Sequence, residues 1–525
     1  MVRVVTGILL VALVGLLLIE AAFSVQWRMV HDAPILMYMA FGMDQLGYVP
    51  YVDFFDMNAP GTHYFHLFVG RVFGYDGLGF RLADLASLAA LLLLTWSFLR
   101  RFGRQVALCG AALFGVMYLG TGMNMSLQRE YIVLLPVAAA AAVVTSRRRW
   151  PEAAKWLTVG ALFGVAGVIK PGAAIGFPAV VCYGVWESAA SARRYALTPG
   201  RVVASTPGRV VAFTPGRVIA YSLLGFALPV AAVALHLASL GALDDFLGIA
   251  RGYWPLYTEL SRTHEVVEGS TRAGYLAREW VKLGGLSIWL LPAVAGSFFA
   301  LFRSELGASD RRRIALLAGL AVCYALYPLI GGKFWTYHWL PFAYFAAVLA
   351  SLSLISRGPV RHLQWIPVGA LVLAVAVGVR PPSELGAQVR GDDWLPREVH
   401  RADQIAGYLE ENLLEGDTVQ PLDWTGGALH AMLMAGAPVA TRYVYDFHFY
   451  HHVSSAYIQE LRKDFMDDLR EARPRFIVRV ETMRPWVSGE DTVRRYSALD
   501  RFIASEYRVA RSGIGYTIHE RRRGL

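Results

Sequence analysis

Carboxylates and cations gather in this sequence at the ends of apolar runs. His31-Asp32 follows the first run, Tyr38 stands six residues on, and Asp44, Pro50-Tyr51-Val52-Asp53-Phe54-Phe55-Asp56 and Asn58-Ala59-Pro60-Gly61 come next. Later runs begin or end at Gln128-Arg129-Glu130, Lys170-Pro171-Gly172 and Gly332-Lys333, with Tyr337-His338 close behind. A carboxylate can take a proton from a hydroxyl, while Arg, Lys and His can hold an anion such as phosphate. At membrane depth each charge costs on the order of a few kcal/mol by insertion scales, so a cluster of them calls for a functional reason. Each also has a plainer reading. Asp32 would cap a helix and Glu130 would pair with Arg129. The lone lysines would snorkel to headgroups, and His338 would join Tyr337 and Trp339 in an interfacial belt. Asp53 and Asp56 would cap or pair within their loop.

The elements that must position these residues are set by composition. Fifty basic and forty acidic residues give a net charge of +10 over 525 residues, with 55% hydrophobic and only 17% charged. A mean hydropathy of +0.41 excludes a disordered chain, and the low charge argues against a soluble enzyme. Runs of membrane-spanning character recur from Val4 to Val379 and then stop. A helix of about 20 apolar residues crosses a bilayer, and eleven candidates fit: Val4 to Phe23, Gly79 to Leu99, Gln105 to Gly122, Glu130 to Thr145, Trp156 to Ile169, Gly172 to Glu187, Val218 to Leu240, Gly284 to Phe302, Ile314 to Ile330, His338 to Ile355 and Gln364 to Val379. The first would also serve as a signal peptide cut near Glu20-Ala21-Ala22-Phe23-Ser24, although a multispan chain more often keeps it.

Basic residues concentrate in alternate loops: eighteen in roughly 64 residues against about ten in roughly 114. The arginine-rich set, with Arg147-Arg148-Arg149 and Arg311-Arg312-Arg313, is therefore expected in the cytoplasm together with the N-terminus, and anionic-lipid contact is its ordinary consequence. The loop from Ser24 to Leu78, the loop from Gly241 to Leu283 and the tail from Arg380 then face outward. Residues 1–380 form a membrane domain on this reading, and residues 381–525 a second, extracytoplasmic one. The tail alternates helix and strand, with a helix over Arg401 to Asn412, a strand over Thr418 to Leu422, helices over Gly426 to Met434 and Tyr457 to Arg470, and a strand over Phe476 to Val480, giving a small α/β module. It has no glycine-rich phosphate loop and no nucleophile elbow. His448, His451 and His452 match no metal-binding spacing. Three copies of Thr-Pro-Gly-Arg-Val from Thr198, Thr206 and Thr214 read as a duplicated cytoplasmic linker. Three cysteines inside apolar runs make no disulfide framework, and the positive charge is explained by topology without nucleic acid.

Asp32, Tyr38, Gly47, Pro50-Tyr51 and Asp53-Phe54-Phe55-Asp56 ahead of Pro60-Gly61 together resemble the first extracytoplasmic loop of GT-C glycosyltransferases. The resemblance is nearest to the bacterial branch named for lipopolysaccharide core galacturonosyltransferases, with relatives among protein O-mannosyltransferases and lipid A aminoarabinose transferases. It extends to the tail, with its Ala472-Arg473-Pro474-Arg475-Phe476-Ile477-Val478 run, and covers most of the chain. It implies a helical polytopic fold of GT-C type with an extracytoplasmic α/β domain, in the inner (plasma) membrane. The implied activity is an inverting transfer of a sugar from a polyprenyl-phosphate donor to a hydroxyl of an envelope lipid, glycan or protein.

On the same resemblance Asp32 is the general base, and Glu130 is a second catalytic acid that orients the acceptor or helps hold a cation. From the residues themselves, Lys170 and Lys333 are read as the phosphate contacts, each a lone lysine at the outer end of an apolar helix in a chain that otherwise prefers arginine, with His338 and Arg129 assisting and Tyr38 and Asp53 as further substrate contacts. Asp32 and Glu130 with water would suit Mg²⁺ or Mn²⁺, and no other cofactor is implied. One departure stands out: many relatives carry Asp-Glu where this chain has Asp32-Ala33, so a second acid there falls to another residue or is absent. The competing classes are a lipid or polysaccharide transporter, which would show broken helices in symmetric halves, and an O-antigen ligase or polymerase. No such repeat is seen, and the long loop directly after the first helix argues against the ligase.

Overall fold

The computed structural model describes residues 2–146, 150–197, 214–303, 306–355, 363–482 and 486–522. Every one of the eleven expected spans coincides with a helix or a helix pair. Among the described residues seven helices reach spanning length with apolar composition, and the pair Gly269–Gly285 and Ser287–Leu301, bent by 65°, makes an eighth. Arg104–Leu119 and Trp365–Gly378 are apolar but shorter. The segment Thr336–Leu354 is buried along its whole length, so the other helices wrap around it.

Close packing of the bundle relies on small residues. Where the helix Glu152–Ile169 lies along Pro215–Ser239, a Cβ on Gly160 would collide with the Ser222 carbonyl, and one on Gly225 with the Leu157 carbonyl. Without a hydrophobic driving force between helices in lipid, such backbone approach is a main source of association. Thr214, which opens the third copy of the repeat, precedes this helix, whose first residue is Pro215. That copy is thus a helix start rather than linker, because proline's fixed φ suits the first helical turn. The first two copies lie outside the described residues, as do Arg147, Arg148 and Arg149.

The loop between the first two spans holds two helices, Ala33–Gln45 and Pro60–Phe73, each with proline in its first turn. The second stops at Gly74, where φ is 101°, a conformation that favours glycine. Asp76 then caps Gly77–Leu99, its carboxylate accepting from the Gly79 amide at 2.8 Å.

The tail adopts the expected α/β module. The helices Arg397–Asn412, Ala428–Met434 and Ala456–Ala472 are present, with strands β1 (Val419–Leu422) and β2 (Phe476–Val480) paired in parallel. The sequence reading missed the hairpin of β3 (Tyr507–Gly513) and β4 (Tyr516–Arg521), which completes a sheet of order β1-β2-β4-β3. The module sits on the first loop. The Tyr38 hydroxyl donates to the Ala437 carbonyl at 2.7 Å, the Phe55 amide to the Arg442 carbonyl at 2.7 Å, and the Tyr445 hydroxyl to Asp56 at 2.8 Å.

Candidate active site

Asp32 precedes the helix Ala33–Gln45 but makes no side-chain cap bond to it. Its carboxylate turns instead to Arg129, whose Nη2 lies 2.8 Å from Oδ2, and to His31, whose Nδ1 lies 3.1 Å from Oδ1. Burial pushes the Asp32 carboxyl up, but His31 and then Arg129 outweigh it and hold it well below the usual carboxylate range. Arg129 also donates to the side-chain oxygen of Asn58, so a single guanidinium ties the first loop to the turn before the fourth span.

The neighbouring residue makes a second ion pair. Glu130 is fully buried and accepts from Lys170 Nζ at 2.9 Å and the Tyr327 hydroxyl at 2.9 Å, with His338 Nε2 at 3.4 Å, all on Oε1. The expected plain pairing of Glu130 with Arg129 is not what forms, because consecutive residues face different partners. The turn is held from below. Asp84 accepts from the Tyr118 hydroxyl at 2.5 Å and lies 3.4 Å from the Leu127 amide, and it pairs with Arg81, which also donates to Ser126 at 2.8 Å.

Two adjoining cavities meet at these residues. The larger, about 920 Å³, is mostly apolar and carries Arg129, Lys170, Lys333 and His338 on its wall together with Tyr327 and Trp254. The smaller, about 340 Å³, holds Asp32 and Asp56. Asn58, Arg129, Tyr257, Trp335 and Tyr337 line both. An apolar space with a few convergent charges suits the phosphate end of an amphiphile, and the adjoining carboxylate is placed to accept a proton.

Five of the expected residues, Asp32, Arg129, Lys170, Lys333 and His338, therefore line this pair of cavities, with Glu130 directly behind. Lys333 is spent differently from expectation: its ammonium donates to the Tyr257 and Leu260 carbonyls, and burial pushes its pKa well below the ordinary lysine value. Tyr38 and Asp53 are not brought here. The Tyr38 hydroxyl is buried against the tail, and Asp53 accepts from the Val49 amide at 2.7 Å and lines a separate groove with Arg442. Sequence reasoning missed Tyr257 and Trp254, whose helix Leu243–Glu259 was read only as loop. Asn58 carried no expected role, and Asp56 was expected to cap or pair within its loop.

Asp56 is the second carboxylate in the smaller cavity, where Asp32-Ala33 lacks one in sequence. It accepts from the Asn58 amide at 3.1 Å and from Tyr445, and lies 3.2 Å from His63 Nε2. The donor set does not fit a divalent cation, since Asp32 and Glu130 each already face a cation. Among the described residues no three His, Cys, Asp or Glu side chains converge as ligands. That holds also for the tail histidines: His451 Nε2 lies 3.0 Å from the Tyr253 hydroxyl, and its Nδ1 2.7 Å from His452.

The whole chain superimposes on a known architecture. It is similar to the crystal structure of ArnT from Cupriavidus metallidurans bound to undecaprenyl phosphate, with TM-score 0.59, 14% identity, and 98% of each chain covered. It is likewise similar to the apo state of that protein, with TM-score 0.57, 13% identity and 97% of each chain covered. The chain has the GT-C fold. Within this fold, residues 57–205 match the family model of dolichyl-phosphate-mannose-protein mannosyltransferases, a stretch that contains Asn58, Arg129, Glu130 and Lys170. No curated protein sequence matches. The GT-C architecture and the multi-pass helical bundle accord with the resemblance drawn from the first loop.

Proposed function

We propose that this protein is an integral membrane glycosyltransferase that moves a sugar from a polyprenyl-phosphate donor to a hydroxyl of an envelope lipid, glycan or protein. The observation that carries the reading is the junction of the two cavities. Asp32, its carboxylate paired with Arg129 and His31, stands in one, a cation-walled apolar chamber forms the other, and Arg129 belongs to both. The bound undecaprenyl phosphate of the similar ArnT structure supports a lipid phosphate as the occupant of the chamber.

In the proposed step the acceptor hydroxyl attacks the anomeric carbon. Asp32 takes the hydroxyl proton as the new C–O bond forms, and the bond from the anomeric carbon to the phosphate oxygen breaks. One displacement inverts the configuration. Negative charge grows on the departing phosphate, and pre-aligned cations stabilise it most where water is excluded. Arg129 and Lys170 are the best placed, with His338 beside them. Glu130 is assigned to holding Lys170 through their ion pair, and Lys333 to fixing the wall of the chamber. The site is placed on the outer face of the inner membrane, with the N-terminus in the cytoplasm, in keeping with the distribution of arginines.

The test is sugar transfer from a panel of radiolabelled polyprenyl-phosphate sugars, in membranes holding wild type or Asp32→Asn at matched levels. Loss of a positioned base should lower the rate by about 10²- to 10⁴-fold while insertion and folding persist. Undiminished transfer by the variant would remove Asp32 as the base, and absence of transfer from every donor in wild type would sink the transferase reading.

A further inference from the structure

A second charged cavity, of about 1320 Å³, lies at the other end of the bundle and plays no part in the reading above. Its wall carries Arg100, Arg101, Arg104 and Arg313, with Trp96 and Thr145. Three elements run from this cavity to the candidate site. Leu134–Thr145 ends at it and begins just after Glu130, and Ala308–Gly331 carries Arg313 near its start and Tyr327 near its end. Gly77–Leu99 starts next to the first loop and leads into Arg100.

The arginines here are not equally spent. Arg312 is taken by Glu187 at 2.7 and 3.1 Å, and Arg311 donates to the Arg303 carbonyl at 3.2 Å. Arg101 makes a two-point pair with Asp310 at 2.7 and 3.2 Å. Arg100 and Arg104 have no acidic partner among the described residues, and Arg313 Nε is buried without a hydrogen-bond partner. The helix Arg104–Leu119 opens at Gly103, which offers no side-chain cap, so its first amides point outward unsatisfied. It places a cation in its first turn, the end where the helix dipole favours an anion. Arg100 and Arg104, without an acidic partner among the described residues, the free Nε of Arg313, whose side chain otherwise bonds to Tyr183, and an uncapped helix start thus converge on one recess. Trp96 in the lining is the kind of aromatic that settles at headgroup depth.

We propose that this recess binds a phosphate monoanion presented by an anionic phospholipid of the surrounding leaflet, held by Arg100, Arg104 and Arg313. Guanidinium forks match phosphate oxygens in geometry as well as charge, and basic recesses between spanning helices are typical seats for such headgroups. Arg101 stays with Asp310 and forms the fixed side of the seat.

The test uses the purified full-length protein in nonionic micelles, with thermal unfolding followed on addition of phosphatidylglycerol, phosphatidylcholine or inorganic phosphate. Phosphatidylglycerol should raise the wild-type Tm and phosphatidylcholine should not. The Arg100→Gln/Arg104→Gln/Arg313→Gln variant should need at least about tenfold more phosphatidylglycerol for the same shift, as expected when a charged hydrogen bond is lost. If the triple variant fails to fold, the Arg100→Gln/Arg104→Gln variant, altered only at exposed side chains, carries the same expectation. An equal response of wild type and variant, or no response of wild type, overturns the site. A shift of the same size with inorganic phosphate alone overturns the lipid as its source.

Discussion

A carboxylate can serve as a base in a closed site only if its charge is held there against burial, and Asp32 has that charge held by two neighbours. Burial raises its pKa, His31 lowers it, and Arg129 lowers it further. In the acid range His31 is protonated, so replacing it removes a lowering influence while the burial cost remains. His31→Asn should therefore move the acid limb of the pH profile of kcat/KM upward from its wild-type position, which is expected below the ordinary Asp value of about 3.9. A profile that stays in place or moves down would show that Asp32 is not the titrating base. The residue scale is also where the sequence was most informative. Lone charges at the ends of apolar runs pointed to Asp32, Arg129, Glu130, Lys170, Lys333 and His338, because such positions are costly without partners. The pairing itself was not legible. Nothing in the spacing indicates that Arg129 turns to Asp32 across 97 positions while its neighbour turns to Lys170. Tyr38 and Asp53 came in with the resemblance of the first loop, yet the Tyr38 side chain bonds to the tail and that of Asp53 to its own loop.

At the scale of elements, apolar length revealed the spans, since a helix surrounded by lipid has few alternatives to being apolar throughout. The same criterion was blind to Ala33–Gln45, too short to span, and to Leu243–Glu259, whose polar residues made it resemble a loop. Those two helices contribute to the lining of the site. The contact between Glu152–Ile169 and Pro215–Ser239 depends on glycines that the sequence does not distinguish from any others. Gly160→Ala would drive a methyl into the Ser222 carbonyl, and overpacking of this kind costs about 1 to 3 kcal/mol. A lowered Tm in micelles is expected. Gly7→Ala, with open space around the new methyl, should leave Tm unchanged, and equal effects of the two would dismiss the close approach as the cause.

For the whole molecule, the decisive relation is between the first loop and the tail, which lie almost 400 residues apart in sequence and share one interface. Tail-to-loop bonds through Tyr38, Phe55 and Tyr445 hold the tail over the smaller cavity, and Asp56 is the charged member of the set. Burial raises its carboxyl, but His63, Tyr445 and Asn58 together hold it below the ordinary value. A depressed carboxyl adds stability that is fully present above its unfolded pKa, about 3.9, and is lost as pH falls through the folded value. Acidification below about pH 4 should therefore loosen the tail from the loop before the helical bundle unfolds. Hydrogen exchange at the amides of Phe55 and of Val439, which donates to the Tyr48 hydroxyl of the first loop at 3.2 Å, should rise first as pH falls, after correction for the intrinsic rate. Asp56→Asn keeps the size of the side chain but removes its titration, so the variant should start with a weaker interface at neutral pH and show a flatter dependence on acid. The same steep acid dependence in wild type and variant would mean that another carboxylate governs the docking.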